Sequence, residues 1–213
     1  MPRKAEPNPT VFIVDDDDAL RGALCGLLTA VGLHAEAYPT AEAFLEALDP
    51  ERPGCVVLDI KMPGMGGLAL QEHMGQSGCP LPVIILTGHA DVPVAVRCVR
   101  AGAVGFLEKP VARDALVAAI DEALKVNQMA LADQRQRRRV HERIASLTER
   151  EEQVMRLLVR GMANKMIADH LGISARTVEV HRARVMEKTG AGSVAELVEM
   201  VLRSRPDAAD LRA

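Results

Sequence analysis

The stretch "VVLDIKMPGMGG", residues 56–67, passes from an apolar run through a single acid, Asp59, into a Pro-Gly break. A short continuous apolar run bounded by turn residues reads as a strand buried on both faces. An unpaired carboxylate at the end of such a strand is costly, so Asp59 needs a partner or a task. The same alternation extends on both sides. VFIV (11–14), AEAY (35–38), CVVLD (55–59), PVIILT (82–87) and VGFLEK (104–109) read as strands, with helical patterns at about 18–31, 40–48, 66–75, 92–101 and from 112 onward. Strands alternating with helices predict an α/β fold, an open doubly wound sheet of five parallel strands.

Composition sets the limits. Of 213 residues 48% are apolar but only 2% aromatic, with no Trp, so the cores must be aliphatic. No apolar run approaches the roughly 20 residues that span a bilayer, and the opening MPRKAEPNP lacks the apolar region of a signal peptide. The expectation is a cytoplasmic chain with no membrane partner. Cys25, Cys55, Cys79 and Cys98 lie far apart without zinc-type spacing, and read as small buried thiols. Charge is uneven. Residues 1–124 hold 9 basic and 17 acidic residues (net −8), residues 125–145 hold 6 and 2 (+4), and residues 146–213 hold 11 and 10 (+1). An acidic first half and a basic second half suggest two jobs.

No Pro or Gly interrupts the chain between Val111 and Ile144, and Leu116, Ile120, Ala123, Leu124 and Leu131 form a helical stripe. The polar stretch ADQRQRRRVHERIAS (132–146) reads as that helix prolonged, a linker helix over 125–145, with a disordered connector as the alternative. Beyond Ser146 no strand pattern remains. Thr148 and Glu151 form a capping box, and Ser193 with Glu196 repeats it. Gly161, Gly172 and Gly190 punctuate four helices, a small all-α domain over 146–205. The tail after Pro206 reads as frayed.

In an open parallel sheet, ligands sit beyond the carboxyl ends of the strands where strand order reverses. With order 2-1-3-4-5, Asp15 and Asp16 at the end of strand one and Asp59 at the end of strand three become neighbours. Three clustered carboxylates repel. A hard cation relieves them, and Mg²⁺ prefers one or two carboxylates plus a phosphate. Thr87 closes strand four with a hydroxyl. Lys109 closes strand five with a cation suited to phosphate oxygens, and Pro110 behind it is a candidate for a cis bond. Asp59 is the natural nucleophile, able to form an acyl phosphate. Asp17 and Asp18 also suit a helix N-cap.

The second domain carries a helix-turn-helix layout: a short helix in NKMIADHLGIS, a turn at 172–174, and a recognition helix from about Ala175 to Lys188. Ile167, Leu171, Ile173, Val178 and Val185 are spaced as a buried seam, with Met155, Met166 and Met186 read as core or near-core. Glu179, Val180, Ala183 and Glu187 share one face. Val180 and Ala183 suit a thymine methyl and Glu179 a cytosine amino group. Lys165, Arg176, Thr177, Arg182, Arg184 and Lys188 are candidate phosphate contacts. His181, away from the groove face, reads as packed or phosphate-facing.

Residues 9–124 resemble a response-regulator receiver domain through IVDD (13–16), LDIKMPGMGG (58–67), LTGHAD (86–91) and GAVGFLEKP (102–110). The resemblance implies a flavodoxin/CheY-like fold in which Asp59 accepts phosphate from a sensor histidine kinase. It also implies Mg²⁺ held by Asp16, Asp59 and the backbone carbonyl of Lys61, with Asp15 acting mostly through water. Thr87 and Lys109 would hold phosphoryl oxygens. Phe106 stands at the switch aromatic position, more often Tyr, and Lys61 and His89 flank the route of attacking water. From Ser146 to about Arg203 the chain is similar to LuxR/NarL-type DNA-binding domains, and the two parts together resemble the FixJ/StyR subgroup. Many relatives carry Lys where this chain has Glu179, which affects the target sequence and not the fold. The expected function is a transcription factor, most relatives being activators. Phosphorylation would drive homodimerisation and binding to promoter DNA, with RNA polymerase as a further partner. The only chemistry expected is its own phosphorylation and dephosphorylation. A receiver that only binds partners, and a phosphohydrolase, are the alternatives. The second, if of the haloacid-dehalogenase type, needs a second Asp two residues after the nucleophile, where Lys61 stands.

Overall fold

The computed structural model describes residues 8–88 and 92–204. His89 and the tail after Pro206 lie outside the described residues. The chain divides into two compact units between Ala132 and Asp133.

The first unit contains β1 (Thr10–Val14), α1 (Asp18–Ala30), β2 (His34–Tyr38), α2 (Ala41–Ala47), β3 (Gly54–Leu58), α3 (Gly67–Gln76), β4 (Val83–Thr87), α4 (Val92–Arg100), β5 (Gly105–Glu108) and the start of α5 (Arg113–Ala145). The strands form one parallel sheet in the order β2-β1-β3-β4-β5. Side chains alternate across it. Phe12, Val14, Val56, Leu58, Val83 and Ile85 pack with α2, α3 and α4 on one face. Val11, Ile13, Cys55, Val57, Ile84 and Leu86 pack with α1 and α5 on the other. Burial on both faces explains why β1, β3 and β4 read as unbroken apolar runs. Strand order places the ends of β1 and β3 side by side.

In α5, Leu116, Ile120, Ala123 and Leu131 are buried and Leu124 is half-buried. The periodicity missed Asn127. This side chain is fully buried, accepts from the Gly54 backbone N–H at 2.9 Å and donates to the Pro80 carbonyl at 2.9 Å. It closes the amino ends of the sheet with two bonds that neither strand could make alone. Cys55 and Cys98 are buried as expected, whereas Cys25 and Cys79 are only half-buried, because each sits at the edge of its helix–sheet contact.

The second unit comprises the end of α5 with α6 (Glu149–Val159), α7 (Asn164–Leu171), α8 (Ala175–Thr189) and α9 (Val194–Ser204). Ile167 and Val178 lie in one core cluster, with Leu171 and Ile173 against it, and Val185 lies in a second. Gly172, at φ 65°, makes the left-handed turn between α7 and α8. Met155 is buried and Met186 packs at the core edge. Met166 is 57% exposed, contrary to the sequence reading, because Ile167 and Ala168 already fill the inward face of α7. Arg143 of α5 donates to the Thr189 carbonyl at 3.1 Å.

Thr148 and Glu151 form the expected capping box. The Ser193–Glu196 pair does so only in part. The Ser193 hydroxyl accepts from the Glu196 N–H at 3.1 Å, but the Glu196 carboxylate reaches back one residue further, to the Gly192 N–H at 2.8 Å. Glu151 is buried and also receives the Lys188 ammonium at 2.6 Å, tying the end of α8 to the start of α6. Among the described residues, no helix is long and apolar enough to cross a membrane.

Lys188, together with the Thr148 N–H, pulls the Glu151 carboxyl down to about 2 from its ordinary 4.5. A value depressed by folding contributes stability above the unfolded value and loses it as pH falls toward the folded one. The second unit should therefore weaken below about pH 4.5, and Glu151→Gln should flatten that dependence. Thermal unfolding followed by circular dichroism from neutral pH down to about pH 3 reads both.

Candidate functional site

Three backbone bonds carry the sheet one residue past its strands. The Asp59 N–H donates to the Val14 carbonyl at 2.9 Å, Asp15 to Tyr38 at 3.2 Å and Lys109 to Thr87 at 2.8 Å. Asp59, Asp15 and Lys109 thus leave the ladder at its carboxyl edge, each one step beyond the end of its strand, so β3 and β5 stop one residue short of the expected 59 and 109. Close packing fixes the turn after β3. A Cβ on Gly67 would fall 1.9 Å from the Asp59 carbonyl oxygen, so only glycine lets α3 start there. The Gly67 N–H donates to the Ile60 carbonyl at 3.0 Å, and Glu42 from α2 accepts from the Met65 N–H at 2.8 Å.

The side chains converge on Lys109. Its ammonium lies 2.6 Å from Asp15 Oδ2 and 3.0 Å from Asp59 Oδ1. The remaining oxygens are held by backbone: Asp59 Oδ2 accepts from the Lys61 N–H at 2.9 Å, and Asp15 Oδ1 from the Asp17 N–H at 2.9 Å. Asp15, Asp59 and Thr87 are buried, whereas Asp16 and the Lys61 side chain are exposed. The Lys109–Pro110 peptide is cis. Phe106 is half-buried against the first core cluster.

The three-carboxylate cluster expected from the sequence is a pair. Asp15 and Asp59 meet across Lys109, but no group of three acids, cysteines or histidines converges among the described residues. The β1–α1 turn carries the Asp16 side chain outward to solvent. Among the described residues, the acids at this rim offer oxygen ligands to a metal. Such a set fits Mg²⁺, which keeps several waters and needs few protein ligands. Burial, the largest cause, holds the Asp59 carboxyl above its ordinary range against the opposing pull of Lys109. Burial also lowers Lys109, but its hydrogen bonds to Asp15 and Asp59 prevail and raise it.

In the second unit, Lys165, Arg176, Thr177, Glu179, Val180, Ala183 and Arg184 are exposed, with Val180 at 47%. Two proposed phosphate contacts are already engaged. Arg182 is half-buried and donates to Asn164 Oδ1 at 3.3 Å, and Lys188 serves the buried Glu151. The sequence reading overlooked Asn164, since its partner lies a helix away. The Thr177 hydroxyl pairs with that of Ser174 at 2.7 Å at the start of α8. Among the described residues, His181 Nδ1 is buried without a hydrogen-bond partner.

Family models match both units. Residues 11–121 match the response regulator receiver domain, and residues 145–201 the bacterial regulatory proteins of the luxR family. The transcriptional regulatory protein FixJ of Bradyrhizobium diazoefficiens is 43% identical over 194 residues, spanning 91% of this chain and 95% of that protein. FixJ of Azorhizobium caulinodans is 46% identical over 192 residues, 90% and 91% of the two chains. Among solved structures, the response regulator StyR matches with a TM-score of 0.80 at 42% identity over 92% of this chain and all of that one. Full-length FixJ from B. japonicum matches with a TM-score of 0.55 at 42% identity, over 92% and 97%.

A carboxyl whose value is raised by folding favours the folded state below the unfolded value and loses that advantage as pH rises through the folded one. Ionised Asp59 therefore costs stability at neutral pH. Asp59→Asn should raise the melting temperature of the first unit by a few degrees at neutral pH, with the gain vanishing toward about pH 3. Calorimetric scans across that range measure the difference.

Proposed function

Because the chain belongs to the response-regulator family whose receiver domain is joined to a luxR-type DNA-binding domain, we propose that phosphoryl transfer to Asp59 is its switch. It is a two-component response regulator that controls transcription. The observation that carries the reading of the site is Lys109, held 2.6 and 3.0 Å from two buried carboxylates at a rim that also bears Thr87.

One oxygen of Asp59 attacks the phosphorus of a phosphohistidine on the sensor kinase. The P–N bond breaks, and the imidazole leaves with the electron pair. Asp16, Asp59 and the Lys61 backbone carbonyl would hold Mg²⁺, with Asp15 reaching it through water, and the ion would neutralise charge on the transferring group. Lys109 exchanges its bond to Asp59 for a phosphoryl oxygen. Its charge then offsets the new negative charge where a carboxylate stood before. The Thr87 hydroxyl donates to a second oxygen and draws its loop inward. Phe106, only half-buried, follows into the space vacated. A Phe there turns without any hydroxyl bond to make or break. Apart from handling its own phosphoryl group, the chain has no catalytic task.

The output surface is the α4–β5 face, where Val96, Val99 and Val104 are 45%, 62% and 41% exposed. Phosphorylated copies pair there, in the cytoplasm, and two helix-turn-helix domains engage two half-sites of promoter duplex. Pairing converts the second contact into an intramolecular one and raises affinity without new contacts. Val180 and Ala183 meet base edges, with Glu179 facing a cytosine amino group. Lys165, Arg176, Thr177 and Arg184 contact phosphate, Arg182 does so from its seat on Asn164, and Lys188 contributes only if it leaves Glu151. The bound dimer then recruits RNA polymerase as an activator.

For wild-type protein, acetyl phosphate with Mg²⁺ should produce a dimer and tighten promoter binding about 100-fold. Asp59→Asn should abolish both responses while leaving basal binding intact. Analytical ultracentrifugation and footprinting with and without the phosphodonor give the result. A response by the variant equal to that of wild type would exclude Asp59 as the acceptor.

A further inference from the structure

Four consecutive carboxylates, Asp15 to Asp18, turn from β1 into α1. Three are wired into the fold. Asp15 Oδ1 accepts from the Asp17 N–H at 2.9 Å, and Asp17 Oδ1 caps α1 through the N–H groups of Ala19 at 3.0 Å and Leu20 at 3.1 Å. Asp18 Oδ1 receives Arg21 Nη2 at 2.7 Å. Asp16 is exposed and takes part in none of these bonds. The other arm of Arg21, Nη1, donates to the backbone carbonyl of Asp15 at 2.8 Å. The Arg21 side chain is 13% exposed although its partner Asp18 is 98% exposed. An almost buried guanidinium therefore bridges the first and last residues of the acidic turn. Asp15 is gripped by cations on two sides, its carboxylate by Lys109 and its carbonyl by Arg21.

Arg21 reaches these two oxygens from two different nitrogens of one rigid plane, a spacing that a single ammonium nitrogen does not reproduce. The backbone of the turn decides where the Asp16 carboxylate stands, and Arg21 fixes that backbone. We infer that Arg21 is a positioning residue for Mg²⁺, holding the β1–α1 turn from which the exposed Asp16 would reach a metal bound beside Asp59. This inference rests on the magnesium reading of the site. Coulomb repulsion and positioning predict opposite signs. A cation near the pocket repels Mg²⁺, so as a bare charge its loss would tighten metal binding. As an anchor its loss weakens it.

The test is a calorimetric titration of the full chain with Mg²⁺ alone, without phosphodonor. Groups that orient metal ligands typically govern 10–100-fold in affinity. Arg21→Met, which removes charge and fork, and Arg21→Lys, which keeps the charge and loses the fork, should each weaken Mg²⁺ at least about tenfold. Labelling by acetyl phosphate should recover its wild-type rate at raised Mg²⁺. If Arg21→Met does not fold, Arg21→Lys decides alone. Wild-type or tighter affinity in Arg21→Lys overturns the inference. If the wild-type chain itself takes up no Mg²⁺, the magnesium reading falls and the inference falls with it.

Discussion

One lysine ammonium between two buried carboxylates is the constraint on which the first unit depends. Asp15, Asp59 and Lys109 follow β1, β3 and β5, and the order β2-β1-β3-β4-β5 brings the first two side by side. The cation opposes the burial that pushes the Asp59 carboxyl toward protonation. Its two bonds are also exchangeable. A lysine is a point charge on a flexible stem, able to leave one oxygen anion for another without any rearrangement of the sheet. Under the proposed transfer to Asp59, the same lysine that pairs the acids beforehand would bind the phosphoryl group.

Rigidity around that lysine comes from the backbone. The strand-end residues keep their ladder bonds for one further step, and Gly67 admits no side chain against the Asp59 carbonyl. Glu42 and Arg21 pin the two turns flanking the pocket from outside, on α2 and α1. Loops that carry chemistry are usually the mobile parts of a domain. Here each of the two acidic turns has its own external clamp, so the pocket's geometry is built into elements that do not themselves react.

The sheet was legible because strands buried on both faces leave continuous apolar runs, and the pocket because its members stand at strand ends. What escaped the sequence reading depends on partners distant along the chain. Lys188 looked like a free cation until Glu151, 37 residues earlier, was found buried beside it. Asn127 carried no signal in the apolar periodicity, and its partners are Gly54 and Pro80. Asp16 was grouped with its neighbours because adjacent residues in a turn share a sequence position but not a direction. Met166 failed for a related reason: helical spacing marks a stripe but not how much of it the core can cover. The Asp18–Arg21 spacing, three apart on a helix, was the one readable sign of the outer clamp.

The second unit spends much of its positive charge on itself. Lys188 and Arg182 are engaged internally, Arg143 caps α8, and the face of that helix proposed to meet DNA carries Glu179 and Glu187. Nonspecific attraction to duplex scales with the phosphates neutralised. A lone copy therefore dwells only briefly on arbitrary sequence, and the competing bulk of a genome sequesters few molecules. Under the proposed pairing, the residence time of a bound dimer would be left to base-edge fit, with quick release once pairing is lost.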